Sequence, residues 1–545
     1  MRHSGASFAL SGLAYRLLCV AFLASLAVTL WMTFYSPVNA DELFWKIMIS
    51  RLDADDGNLV YLFAQCRQGQ WIEAPLTWYP AMWVNSLLYE DASEPWELRV
   101  HGWLLFIVLL GLWSWLLSKR SGLSRLDSLI AVSAVLSVGV MPFLMVYERP
   151  EQPLLLLLTL ALMTTLGQGP APGTTVSLTR GLLVMAGFGL VAALMSGTHP
   201  KGMFLFPVLI VLAWRQLRSV PLITVLIVLM GWVAFDTNQV WQLRTTCPEY
   251  PGLSKVLKNL TLRPSMLLSD PMGFIRAGWA NLMAFDAYVN SLKFQPSYVS
   301  TWLPNALSDW SPDTMRVMVA NSLLWVPLVV MGGVTLGNVL GRRRPQTIPD
   351  ALLCLTLLMA VGAIVILQTA KNFYESSIVW PLILLVGLFS FGKPLQRPSG
   401  PTVRVILAAL MMLALLSGVL RYERFENAMQ EWREIRTEQV EEGEDRNEAL
   451  QELGYQRCSI DPEAERLVLD RDSYQAFWEH KHPVFLDYAA GWWGAEADFL
   501  SMARTRQVGG LVGRCNGVPK ELWSVMVRGA GSTQGFCCVA PQHLR

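Results

Sequence analysis

Long apolar runs separated by short polar connections fill most of the chain, up to about residue 420. A helix of about 20 apolar residues crosses the ~30 Å hydrocarbon core of a bilayer. Runs that approach this length predict about eleven transmembrane helices, near 17–36, 101–118, 126–146, 152–167, 181–197, 202–214, 219–235, 317–340, 350–369, 377–392 and 405–420. No small-residue cleavage site follows the first run, which we therefore interpret as an uncleaved signal anchor.

The positive charges of the short connections determine the predicted orientation. Most of the basic residues that belong to the short connections lie in alternate connections. They are Arg2, Arg16, Lys119, Arg120, Arg125, Arg180, Arg215, Arg218, Arg342, Arg343, Arg344, Lys393, Arg397 and Arg404. We predict that these connections are cytoplasmic. The N-terminus is then cytoplasmic and the C-terminus extracytoplasmic (periplasmic), in a bacterial inner (plasma) membrane.

This topology divides the chain into two predicted domains. Residues 1–420 form an all-α polytopic membrane bundle with outer loops 37–100 and 236–316. Residues 421–545 form a small extracytoplasmic domain, which begins with a Glu-rich helical stretch and continues as a mixed α+β segment.

Composition and cysteine placement agree with a membrane protein that has an oxidising outer side. Charged residues are 16% of the chain, compared with about 25% in ordinary soluble domains. The net charge is +1, and no basic cluster with interleaved aromatic residues indicates a nucleic-acid partner. Six cysteines fall in predicted outer segments and favour disulfides of open connectivity over free thiols or a metal site; they are Cys66, Cys247, Cys458, Cys515, Cys537 and Cys538.

Candidate chemistry lies in four polar groups at the predicted outer ends of the helices. Polar and ionisable residues are costly at such places, so their clustering on one side indicates function. The groups are Asn39-Ala40-Asp41-Glu42, Tyr147-Glu148-Arg149-Pro150-Glu151, Thr198-His199-Pro200-Lys201-Gly202 and Lys371-Asn372-Phe373-Tyr374-Glu375. A helical bundle can bring all four around one cavity.

Carboxylates beside cations suit a reaction in which a hydroxyl loses a proton while a phosphate departs. A carboxylate within reach of the acceptor hydroxyl acts as the base, and Arg or Lys stabilises the charge that develops on the phosphate. The sequence contains no phosphate loop, no Gly-x-Ser-x-Gly elbow and no His-Glu-x-x-His motif. The sequence therefore gives no support for a nucleotide-dependent or a hydrolytic reaction.

The four groups, in this order and on one side, resemble the GT-C superfamily of polyprenyl-phosphate-sugar-dependent glycosyltransferases. That superfamily includes protein O-mannosyltransferases, the lipid A aminoarabinose transferase and arabinofuranosyltransferases. Asp41-Glu42 is similar to the acidic motif of the first outer loop. Arg149-Pro150-Glu151 and His199-Pro200-Lys201-Gly202 resemble outer-turn motifs, and Phe373-Tyr374 with Pro381 is similar to a late aromatic-proline element near the lipid phosphate.

The resemblance implies an inverting glycosyltransferase with a polyprenyl-phosphate-linked sugar donor. The acceptor is a hydroxyl of a glycan, a glycolipid or a protein, and membrane lipids surround the enzyme. Asp41 is the expected catalytic base, supported by Glu42. The expected substrate-binding residues are Arg149, Glu151, His199, Lys201, Lys371 and Tyr374. No cofactor is required, and a role for a divalent cation stays open.

Other interpretations account for the same residues. Arg149 and Glu151 could pair to cap a tight turn, and Lys201 and Lys371 could be anchors that reach the lipid headgroups. For the whole chain, one alternative is a transporter or flippase of a lipid-linked or anionic substrate, although the two similar halves typical of transporters are absent from the sequence. A second is a non-enzymatic envelope assembly or sensor protein.

Overall fold

Helices dominate the computed structural model of the chain. The structure describes residues 12–34, 58–61, 72–75, 95–137, 141–167, 176–245, 262–263, 265–284, 348–367, 373–391, 401–439, 446–464, 466–470, 473–477, 480, 484–485, 499–505 and 507–545.

The α-helices of the membrane part are α1 (Gly12–Phe34), α2 (Pro95–Ser121), α3 (Arg125–Leu136), α4 (Met141–Leu144), α5 (Glu151–Met163), α6 (Leu178–Thr198), α7 (Phe206–Leu217), α8 (Val220–Thr245), α9 (Met266–Ser269), α10 (Pro271–Ala284), α11 (Ile348–Leu367), α12 (Phe373–Phe391) and α13 (Pro401–Gln439). A 3-10 helix, Pro200–Leu205, joins α6 to α7. A hairpin of β1 (Asn58–Tyr61) and β2 (Ile72–Pro75) lies between α1 and α2.

Six helices among the described residues are long and apolar enough to cross a membrane, in α1, α2, α6, α8, α11 and α13. Two shorter apolar helices lie at Glu151–Leu166 and Ser377–Phe389. Every predicted span contains helix except 317–340, which lies outside the described residues. The predicted span 126–146 is divided, because Ser137 caps α3 and the separate short α4 follows. A multi-pass helical bundle is therefore confirmed, whereas the number eleven stays a prediction.

The bundle core is built around α2, α5, α6, α11 and α12, whose inward faces carry Leu, Phe and Met. Other faces of the same helices expose large apolar side chains, such as Leu104 on α2 and Leu183 on α6. A helix that is apolar both inside and outside the protein is typical of a membrane span, because lipid covers its outer face.

A cluster of ionised side chains ties together three helix ends on one side of the bundle. Asp350, at the start of α11, accepts from Arg120 at 2.7 Å and from Arg215 at 3.0 Å. These cations end α2 and α7, so three of the connections predicted to be cytoplasmic lie at the same end. Residue 99, near the start of α2, lies about 30 Å from Arg120 along the helix axis. Its side chain makes its contacts at the opposite end of the bundle.

The last membrane helix continues beyond the predicted domain boundary at residue 421. α13 extends without a break from Pro401 to Gln439, so the Glu-rich stretch prolongs a transmembrane helix. Arg421 is buried within it and donates to Ser137 O at 2.9 Å and to Thr29 Oγ1 at 3.1 Å. The division into 1–420 and 421–545 stays a prediction, and the helix gives no structural break at that point.

The C-terminal region forms the small sheet that the sequence predicts. Its five strands lie in the order β4-β3-β5-β7-β6. The strands are β3 (Val468–Leu469), β4 (Val484–Phe485), β5 (Leu511–Arg514), β6 (Val527–Arg528) and β7 (Phe536–Val539), with the helices α14 (Arg446–Glu452) and α15 (Phe499–Thr505) beside them in the chain. β3 is parallel to β4 and β5, while β7 is antiparallel to β5 and β6.

Two disulfides join this sheet to its surroundings, which confirms the predicted disulfides in the tail. Cys538 pairs with Cys458 and Cys537 pairs with Cys515. Successive side chains of a strand point to opposite faces, so the adjacent cysteines of β7 secure the two faces separately. Cys66 and Cys247 lie outside the described residues.

Candidate functional site

Two cations share one buried carboxylate at the end of the bundle opposite Asp350. Arg149 Nε donates to Glu151 Oε2 at 2.9 Å, and its Nη2 donates to Oε1 at 3.3 Å. Lys201 Nζ donates to Glu151 Oε1 at 2.9 Å. Glu151 is fully buried, while Arg149 and Lys201 are 6% and 7% exposed. The three side chains carry one more positive charge than negative charge.

Proline fixes the local backbone of the Arg149 turn. The ring of Pro150 sets φ near −67°, which suits the start of a helix. Glu151 is therefore the first residue of α5, where its carboxylate lies near the positive end of the helix dipole. Gln152 donates its side-chain amide to Met145 O and so closes the turn from α4.

The His-Pro-Lys-Gly turn has an equally local origin. A residue that precedes proline is excluded from the helical region, and His199 is extended, with φ −161° and ψ 141°. α6 therefore ends at Thr198, and Pro200 starts the 3-10 helix. His199 Nδ1 accepts from the backbone N–H of Lys201 at 3.0 Å. This cap directs the chain so that Lys201 meets Glu151 of α5.

His199 is a neutral hydrogen-bond donor in this arrangement. Burial and the neighbouring Lys201 ammonium lower the pKa of His199 to about 3. Since Nδ1 accepts a hydrogen bond, the proton of the neutral ring is on Nε2. The turn thus presents an N–H donor beside the ammonium.

Lys201 keeps hydrogen-bonding capacity for a ligand. An ammonium has three N–H donors. Within the described part of the chain, the Glu151 carboxylate is its one hydrogen-bond partner, which leaves two donors without a protein acceptor. A buried ammonium in that state favours an anionic ligand, because unpaired buried charge is costly.

Two glycines allow the backbones at the site to approach closely. A Cβ on Gly202 would collide with the Met195 carbonyl of α6, and a Cβ on Gly102 of α2 would collide with the Val146 carbonyl. Val146 directly precedes the Tyr147–Glu151 turn. The role of Gly102 could not be predicted from the sequence, because a glycine inside an apolar helix gives no local signal of close packing.

Gly102→Ala is expected to reduce stability by about 1–3 kcal/mol, because overpacking must displace the Arg149 turn. Gly111→Ala on the same helix is the matched control, since a Cβ there meets nothing within 4 Å. Thermal unfolding of the two purified variants is the measurement. Equal behaviour of the two variants would contradict the close approach.

The remaining predicted site residues are placed only in part. Asp41, Glu42 and Lys371 lie outside the described residues. Tyr374 belongs to the first turn of α12, for which the backbone alone is described. α12 packs against α4 and α5, the two helices on either side of the Arg149 turn. The structure therefore brings together Arg149, Glu151, His199 and Lys201.

Three further buried ionisable residues lie near this end of the bundle. Arg99 is fully buried, with its guanidinium carbon 4.4 Å from the Tyr147 ring centroid. Glu148 is 1% exposed, next to Arg149, and Arg421 is 1% exposed. Glu148 belongs to the second candidate polar group, whereas the roles of Arg99 and Arg421 could not be predicted, because the position of a charge beside a predicted span does not show whether it faces water or the protein interior.

The described residues contain no group of three His, Cys, Asp or Glu side chains that could hold a metal ion. What the site offers a ligand is cationic and hydrogen-bond donating. That set of donors suits a phosphate.

Comparison with known proteins gives remote structural similarities alone. No protein-family model and no curated protein matches the sequence. One similar structure is ArnT from Cupriavidus metallidurans bound to undecaprenyl phosphate, with 13% identity, a TM-score of 0.46 and coverage of 98% of each chain. Another is the archaeal oligosaccharyltransferase AglB from Archaeoglobus fulgidus in complex with an inhibitory peptide and a dolichol-phosphate, with 12% identity and a TM-score of 0.40, covering 90% of this chain and 69% of that one.

Because both TM-scores lie below 0.5, these similarities carry no argument about what this chain binds or does. The fold and site define a multi-pass helical membrane protein with a buried, cation-rich cluster at one end of its bundle.

Proposed function

We propose that the chain is an integral membrane glycosyltransferase of the GT-C type. It moves a sugar from a polyprenyl-phosphate donor to an acceptor hydroxyl at the outer side of the membrane, with inversion at the sugar carbon. The supporting observation is the buried Arg149–Glu151–Lys201 cluster, in which the Lys201 ammonium keeps hydrogen-bond donors for an anionic ligand.

Each residue of the cluster has a distinct role in this proposal. Lys201 and Arg149 bind the donor phosphate and stabilise the negative charge that it gains as the sugar departs. Glu151, held between both cations, orients them. Its carboxylate is a poor base because two cations favour its ionised form. His199 Nε2–H donates to the phosphate or to a sugar hydroxyl.

The proton acceptor is proposed to be Asp41, with Glu42 in support, on the loop that follows α1. Lys371 and Tyr374, at the start of α12, complete the phosphate side of the site. No cofactor is proposed. A chelator added to the transfer assay decides whether a divalent cation takes part.

Lys201→Met is expected to weaken donor binding by about 10- to 100-fold, because a charge-assisted hydrogen bond contributes about 1.5–3 kcal/mol. Methionine keeps the length and apolar character of the stem, so packing is largely retained. Lys119→Met, an exposed lysine at the other end of α2, is the matched control. Binding of polyprenyl phosphate and transfer from a polyprenyl-phosphate sugar are both measured on folded protein.

Unchanged donor affinity in Lys201→Met would refute the phosphate site. Tight binding of the lipid phosphate together with translocation, but with no transfer to any acceptor, would favour the transporter over the enzyme.

The orientation is a separate prediction. Reporter proteins fused after Arg344 are expected to be cytoplasmic and those fused after Arg421 exported, because basic residues concentrate in one set of turns. Activity of alkaline phosphatase and fluorescence of a cytoplasmic reporter measure the two locations. An exported Arg344 fusion would place the Arg149 cluster on the cytoplasmic side and remove the proposed outer-side reaction.

A further inference from the structure

Arg99 lies at the junction of two segments that the proposed reaction requires. Its Nε donates to Thr33 O at 3.2 Å, and its guanidinium lies 4.4 Å from the centroid of the Tyr147 ring. Thr33 belongs to the last turn of α1, eight residues before Asp41. Tyr147 comes two residues before Arg149.

The contact with Thr33 satisfies the end of a helix. The last four carbonyls of a helix lack partners within it, and they carry its partial negative charge. A guanidinium donating to one of them neutralises that charge and fixes where the chain leaves α1. Trp103 adds a hydrogen bond from Nε1 to Thr33 Oγ1 at 3.2 Å, and its ring lies 4.8 Å from that of Phe34.

The contact with Tyr147 connects this helix end to the phosphate side of the site. A cation over an aromatic face is held more strongly when it is desolvated, as a fully buried guanidinium is. Removal of the cation therefore weakens both contacts together, and the end of α1 loses this connection to the Tyr147–Glu151 turn.

Arg421 differs from Arg99 in what it connects. It also contacts α1, at Thr29, and it donates a further hydrogen bond to Ser137 O, at the end of α3. It holds α1 within the bundle. Arg99, one turn further along α1, holds the exit of the helix against the turn that carries Arg149.

We propose that Arg99 is a positioning residue for sugar transfer, which holds the end of α1 against the turn that carries Arg149 through its contacts to Thr33 and Tyr147. This inference rests on the proposed function. It adds that the geometry of the phosphate-binding turn depends on a buried cation outside the Arg149–Glu151–Lys201 cluster.

Arg99→Met is expected to lower kcat by about 10- to 100-fold, since a misplacement of about 1 Å can cost that much, while KM for the lipid-linked donor changes less than about twofold. Tyr147→Leu should give the same pattern, and Tyr147→Phe, which keeps the ring under the guanidinium, should retain most activity. The kcat of the double variant Arg99→Met with Tyr147→Leu should be little lower than that of either single variant. Each single change already removes the same contact between the two side chains.

Trp103→Phe is the matched control for simple loss of packing at Thr33. It removes the hydrogen bond to Oγ1, keeps an aromatic ring beside Phe34 and leaves the Arg99 contacts in place. Transfer per folded molecule should stay near that of the wild type. Hydrogen exchange of residues 30–45 provides a readout without catalysis, and it should quicken in Arg99→Met but not in Trp103→Phe.

Unchanged kcat in folded Arg99→Met would overturn the inference, and so would a rise in donor KM as large as that of Lys201→Met. If wild-type protein transfers no sugar from any polyprenyl-phosphate donor, the proposed function fails. The exchange measurement then decides the inference: equal exchange in Arg99→Met and Trp103→Phe would refute a positioning role.

Discussion

Asp41→Asn is expected to lower the rate of sugar transfer by roughly 10²–10⁴-fold while donor binding stays nearly intact. Asparagine keeps the size and hydrogen bonding of the side chain but cannot take a proton from the acceptor hydroxyl. Arg149→Ala should instead weaken donor affinity along with the rate, because it removes a charge-assisted phosphate contact. The measurement is steady-state transfer by membrane-inserted protein, with both substrates varied.

Asp270→Asn is a suitable control for Asp41→Asn. Its carboxylate accepts from the backbone N–H of Gly273 at 2.9 Å at the start of α10, a local role that an amide oxygen preserves. Near-normal transfer by Asp41→Asn would move the base to Glu42. Near-normal transfer with both residues neutralised would remove the main reason for proposing a glycosyltransferase of this class.

Glu151→Gln is expected to destabilise the protein by about 3–5 kcal/mol, because it leaves two buried cations without their carboxylate. Transfer per folded molecule should also fall, since Arg149 and Lys201 lose the group that orients them. Added polyprenyl phosphate should restore part of the lost stability, because its anionic headgroup replaces the missing charge. Thermal unfolding with and without the lipid phosphate measures both effects.

Asp350→Asn separates structural loss from functional loss. Asp350 also holds two cations, Arg120 and Arg215, but at the opposite end of the bundle. Its removal should lower stability by less, since Arg215 is the more exposed of its partners, and transfer per folded molecule should stay near normal. If lipid phosphate stabilised Asp350→Asn as much as Glu151→Gln, the effect would be general lipid binding rather than occupation of the proposed site.

Much of the membrane architecture could be predicted from the sequence, because lipid imposes a strict local rule. A span must be apolar over its length and must satisfy its own backbone hydrogen bonds. α1, α6 and α11 therefore lie close to their predicted runs. The end of α3 before α4 was not predicted, because the apolar pattern continues beyond Leu136 while the helix does not.

The local backbone of the two turns that carry Arg149 and Lys201 could also be predicted from the sequence. Proline imposes the extended His199 and the helix start after Arg149, and these choices need no tertiary contact. Lys201 and Glu151, from the third and second polar groups, form an ion pair, whereas the expectation that all four groups surround one cavity stays a prediction. The loop of Asp41 and the position of Lys371 stay predictions.

The sequence by itself determined the spans, the polar turns and the prediction of disulfides in the tail, because each depends on composition or on adjacent residues. The tertiary structure decided which charges are buried and what they contact. Glu151 forms ion pairs with two cations, Arg149 and Lys201, and does not simply cap a turn. Arg99 contacts both α1 and Tyr147. The disulfide partners of Cys458 and Cys515 are Cys538 and Cys537, which the register of β7 places beside them. These outcomes depend on helix packing and strand register, which bring distant residues within a few ångströms and are not encoded at any one position.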